Sequence, residues 1–169
     1  TKNGGIDKPE TMTRLKWLNS TIAQQNTVIA PYTPLTVTDT VISLLGRKLF
    51  LDKEGFPAQI QTFFTPEMTS TGTTPNNLFT EPVHFNFFDA SQNQIEWKAT
   101  GVNFLKKEAG TVAWQSASTS GSLQMDVNAS LEFDGFLSYT VKFTALQDVA
   151  LSDINFNLPM QPDAARYMM

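Results

Sequence analysis

Leu123-Gln124-Met125-Asp126-Val127-Asn128-Ala129-Ser130-Leu131-Glu132-Phe133 alternates apolar and polar side chains without a break, and the alternation resumes after Asp134-Gly135. Side chains of a strand repeat every two residues, so Leu123, Met125, Val127, Ala129, Leu131 and Phe133 share one face. On the returning segment Tyr139, Val141, Phe143 and Ala145 line the matching face, while Ser138, Thr140, Lys142 and Thr144 point to water. The Asp-Gly pair supplies the positive-φ positions of a tight hairpin, and the 134–137 linker has room for a bulge. The stretch is a β-hairpin, and the rest of the chain is read outward from it.

Further strands are expected on both sides. One runs over 40–51 and ends at Asp52-Lys53-Glu54-Gly55; the next covers 58–64, with Ala58, Ile60, Thr62 and Phe64 on one face. Residues 66–77 are rich in Thr, Pro and Gly without periodicity, which predicts a long surface loop. Val83, Phe85 and Phe87 line another strand, followed by a turn at 89–93. The meander continues through Ile95, Trp97 and Ala99, then 101–104, a tip at Lys106-Lys107-Glu108, and 111–116. A polar turn is expected at 116–121. Ile154, Phe156 and Leu158 mark a last strand closed by Pro159 and Pro162. Roughly eight or more short strands with little helix between them favour an all-β antiparallel sandwich over alternating βαβ units. Met12, Leu15, Leu18 and Ile22 have helical spacing interrupted by Asn19-Ser20-Thr21, and that segment reads equally as helix or extended chain. The expected organisation is a loose leader at 1–10, one domain over 11–162, and at 163–169 the start of a connection to a further domain, with Asp163 as a helix cap.

Composition removes several classes of function. With 41% hydrophobic and only 17% charged residues, including 13 Phe, the chain is poorer in charge than the usual share of about 25% and is expected to fold around a real core. A net charge of −4 with no basic run beyond Lys106-Lys107 denies nucleic acid its electrostatic basis. No stretch approaches the roughly 18 apolar residues that cross a membrane, so membrane insertion is not expected. The absence of Cys rules out disulfides, thiol catalysis and Cys-based zinc sites, and no cofactor is implied.

Candidate chemistry is sparse. His84 is the one histidine and lacks a second imidazole for a metal site or a partner set for a triad. Glu132 and Asp134 are spaced like a carboxylate pair, yet Asp134 falls in the hairpin turn, where Asp bonds nearby backbone. Asp126 and Asn128 share the outer face with Glu132 and offer oxygen ligands to a hard cation, or simply face solvent. Trp17, Trp97 and Trp114 are flat platforms for a sugar ring; Ile95 and Ala99 draw Trp97 into the core, whereas Trp114, beside Ser116, is the better candidate for an exposed role. Arg47 lies within an apolar strand pattern, where a charge needs a partner or a junction. Trp17, Arg47, Trp114, Glu132 and Asp134 are the candidate carbohydrate or inter-domain contacts, with no catalytic and no metal residue among them.

Several phrases in order carry a resemblance: Arg14-Leu15-Lys16-Trp17-Leu18-Asn19-Ser20-Thr21-Ile22, Ala30-Pro31-Tyr32-Thr33-Pro34-Leu35, Leu45-Gly46-Arg47, Gly55-Phe56-Pro57-Ala58-Gln59-Ile60, Glu132-Phe133-Asp134-Gly135 and the closing strand at 154–159. Together they resemble the amino-terminal region of large secreted bacterial proteins related to glycoside hydrolase family 123, with Phe56 where that family's phrase has Leu. The resemblance implies a periplasmic or cell-surface β-sandwich that precedes a catalytic barrel acting on amino sugars or related glycans. It implies that the catalytic Asp-Glu pair belongs to the barrel, so that this domain is a non-catalytic accessory. Its implied partners are the downstream catalytic domain and a glycan, and its implied alternatives are an independent carbohydrate-binding module or a structural domain of a surface protein. Apolar surface awaiting the partner is expected near Tyr167, Met168 and Met169.

Overall fold

The computed structural model describes residues 26–165. The expected leader, the helix-or-extended segment at 12–22, Trp17 and the Tyr167–Met169 end lie outside the described residues. Twelve strands and no helix are found among the described residues: β1 (Thr36–Thr38), β2 (Val41–Leu44), β3 (Arg47–Leu51), β4 (Pro57–Phe64), β5 (Thr71–Asn77), β6 (His84–Asp89), β7 (Lys98–Ala99), β8 (Asn103–Lys107), β9 (Thr111–Ser120), β10 (Leu123–Glu132), β11 (Leu137–Ala145) and β12 (Leu151–Asn157). All pairings are antiparallel. β1 to β5 form one sheet in chain order; a second runs β11-β10-β9, with β7 and β8 following one another along the far edge of β9; β12 and β6 form a third.

The hairpin stands as its alternation predicts. β10 and β11 pair without a register break from Leu123↔Ala145 to Leu131↔Leu137. At the turn Gly135 takes φ +97°, its amide bonds the Glu132 carbonyl at 2.9 Å, and Asp134 Oδ1 accepts the Phe136 amide at 2.9 Å. Ile42, Leu49 and Leu51 of the first sheet meet Val112, Trp114, Ala129 and Leu131 of the second, joined by Leu35 and Phe133. A second cluster gathers Phe56, Phe79, Val83, Met125 and Val127 beneath β6. Ile42, Val112 and Met125 are wholly removed from water, and burial of each such side chain stabilises the fold by roughly 1.5–3 kcal/mol. The two layers and the antiparallel pairing make this an all-β sandwich.

The structure redraws five elements. The strand expected over 40–51 is two, because Gly46 turns the chain with φ +61° and hands its carbonyl to the Phe63 amide at 2.9 Å. An added Cβ there would sit 2.6 Å from the Phe64 ring and would have to displace it at a backbone conformation that favours glycine. The loop expected at 66–77 is a short turn followed by β5, an edge strand with both faces exposed, which tolerates Gly72 and Pro75 for want of a neighbour on its far side. The turn expected at 116–121 is the second half of β9, which runs to Ser120 with Ser116 and Ser118 facing the core. The 95–99 segment is strand only at Lys98–Ala99, with the Ile95 amide bonding the Phe87 carbonyl at 2.8 Å. The expected Lys106-Lys107-Glu108 tip falls partly within β8, and the Glu108 amide bonds the Thr111 carbonyl at 3.0 Å to close the turn.

Candidate functional site

The second sheet is shorter across than the layer that faces it. β6 packs its Phe85 and Phe87 on Phe143 of β11, with ring centroids 5.1 and 4.9 Å apart. β12 lies beyond β6, and its register sets Phe156 beside Phe85 and Ile154 beside Phe87 on the same inward side. Yet among the described residues β11 is the last strand of its sheet, and β12 overhangs with none of them opposite it. Ile154, Phe156 and Leu158 are 47, 56 and 51% exposed, although they continue the apolar face that β6 buries. Under the overhang opens a cavity of about 400 Å³ walled by Phe56, Ile60 and Phe79, by Tyr139 and Val141 of β11, and by Phe156 and Leu158.

One wall of this cavity is fixed with unusual care. The loop between β3 and β4 turns on Asp52, whose Oδ1 accepts the amides of Glu54 and Phe56, each at 2.9 Å. The Gly55 carbonyl then receives two donors from the opposite sheet, Trp114 Nε1 at 2.9 Å and the Tyr139 hydroxyl at 3.1 Å. Ser116 Oγ donates to the Glu54 carbonyl. Gly55 holds φ +85°, and an added Cβ would press on Ser116 Oγ at 2.8 Å. These bonds set Phe56 into the cavity wall, stacked on Tyr139 at 5.7 Å. Burial raises the Asp52 carboxyl above its ordinary range despite the two amides, and burial followed by the charge of Asp52 raises Glu54. Burial, with the Asp52 charge behind it, holds the Tyr139 proton far more tightly than an exposed phenol would. The polar atoms at the cavity thus serve to position its wall and are already engaged.

The candidate contacts read from sequence fall elsewhere. Trp114 is fully buried, and its indole is spent on Gly55, so the exposed role expected for it is corrected: Ser116 beside it is no sign of a wet face, because both side chains meet the 52–56 loop. Arg47 is half-buried, its guanidinium carbon 5.3 Å from the Phe64 ring centre, and it lies beside the hairpin turn, where a Cβ on Gly135 would be 3.3 Å from its Nη1. Asp134 caps its own turn, and Glu132 is exposed opposite Thr111. The structure therefore brings Arg47 near the 134–135 turn and leaves Trp114 in the core. Asp126 accepts both contacts of the Gln124 amide at 2.8 and 2.9 Å, and among the described residues no three His, Cys, Asp or Glu side chains converge as metal ligands. Phe156, Leu158 and Tyr139, which shape the cavity, carried only an alternating pattern that reads as ordinary core.

Comparison with known proteins adds one finding. No curated protein and no solved structure gives a significant match. The family model described as "Glycoside hydrolase 123, third domain" matches residues 35–169. Its ordinal is third, where the phrases of the sequence resembled an amino-terminal region; the family is the same. With most of its length matched in this way, the chain belongs to the glycoside hydrolase 123 third-domain family.

Proposed function

We propose that this chain is a non-catalytic accessory domain of a glycoside hydrolase and packs against the enzyme's catalytic barrel through the open side of its sandwich. The overhang of β12 carries the reading: Ile154, Phe156 and Leu158 form a continuous apolar face that nothing among the described residues covers, above a cavity that exposes its core. Contiguous apolar surface of this kind marks interaction sites in soluble proteins. The same walls offer no acid, base and nucleophile converging on one point, since the Tyr139 hydroxyl is engaged with Gly55. The test is Phe156→Asp, made both in residues 1–169 alone and in the whole gene product. In the isolated chain Phe156 is 56% exposed but its ring packs on Phe85 at 4.8 Å, so the substitution there costs about 0.5–1.5 kcal/mol. In the whole product it lowers the melting temperature of the sandwich and loosens its coupling to the barrel. Equal effects in the two proteins would end the packing reading.

A second reading, direct contact with glycan, is favoured by a different surface. On the outer face of the second sheet Asn103 pairs with Gln115, Gln115 with Asn128, and Asn128 with Thr140. This row crosses a depression of about 480 Å³, in which Asp126 stands opposite Lys142. Four strands set about 4.8 Å apart give the row a length of roughly 14 Å. Its side-chain amides are exposed, and among the described residues they have no protein partner, which suits a neutral ligand rich in hydroxyl groups. Titration with oligosaccharides containing N-acetylhexosamine, followed through the side-chain amide resonances of Asn103, Gln115 and Asn128, tests it. Unmoved resonances would refute it.

A further inference from the structure

We draw no further inference here: the strongest candidate, the edge of β11 that is unpaired among the described residues together with the apolar cavity beside it, carries nothing because nothing in the structure shows what covers it.

Discussion

The Gly55 carbonyl, shared between Trp114 Nε1 and the Tyr139 hydroxyl, predicts a specific non-additivity. Tyr139→Phe removes one neutral hydrogen bond and costs about 0.5–1.5 kcal/mol, because the carbonyl keeps its bond to Trp114 and the ring keeps its stack on Phe56. Trp114→Phe removes the other donor and trims a fully buried ring, a fraction of the 3–5 kcal/mol that full truncation of such a residue costs, or about 1–3 kcal/mol. Each single variant leaves the carbonyl one donor. The double variant leaves it none, and an orphaned buried acceptor adds about 1–3 kcal/mol. The double variant should therefore be less stable than the sum of the singles by that amount, well outside the roughly 0.5 kcal/mol within which independent sites add. Urea unfolding followed by circular dichroism at pH 7 provides the cycle, read from the midpoints at a common slope. The combined loss nears 5 kcal/mol, a large share of a domain's stability, so all four proteins are compared in a stabilising osmolyte. Additivity within error would show that the two donors do not share one acceptor and would refute the account of how the cavity wall is held.

Three further outcomes follow from the same structure. Gly55→Ala forces a Cβ against Ser116 Oγ at a positive φ and should cost about 1–3 kcal/mol, lowering the melting temperature of a chain this size by roughly 2–4 °C per kcal/mol; an unchanged melting curve would show that the loop yields. Ser118 is buried on the core face of β9, and its hydroxyl has no partner among the described residues, so Ser118→Ala should be neutral or stabilise by about 1 kcal/mol, and a clear loss of stability would reveal a bond. Asp52 and Glu54 are both raised above their ordinary values of 3.8 and 4.5. The folded state therefore holds their protons more tightly than the unfolded state, and their contribution to stability declines as pH rises from those values through the folded ones. Denaturant midpoints from pH 3.5 to 7 should show that component weaken in Asp52→Asn, and an unaltered profile would contradict it.

How much of this could be read beforehand depended on where the cause lay. The β10–β11 hairpin was legible because alternation and Asp134-Gly135 are local. β5 was not, since an edge strand with both faces in water needs no alternation and admits the Pro and Gly that signal a loop. Trp114 reads as a candidate for an exposed role because Ser116 shares its face; the loop that meets Trp114 and Ser116 comes from residues 52–56, far away in the chain. The apolar character of Phe156 and Leu158 was plain, but whether an apolar face is covered depends on which strand ends a sheet, and that is a property of topology that no window of sequence contains.

The clasp on the 52–56 loop also sets an order of events during synthesis. Its three fasteners, Trp114, Ser116 and Tyr139, bond to partners 59, 62 and 84 positions earlier in the chain. A nascent chain that has finished β4 must keep Phe56 and Ile60 waiting until β9 and then β11 have emerged. Contacts of such long range close slowly and leave apolar surface exposed meanwhile. The first half of this domain should therefore be the stretch most dependent on chaperones, and a chain cut short before Tyr139 should aggregate.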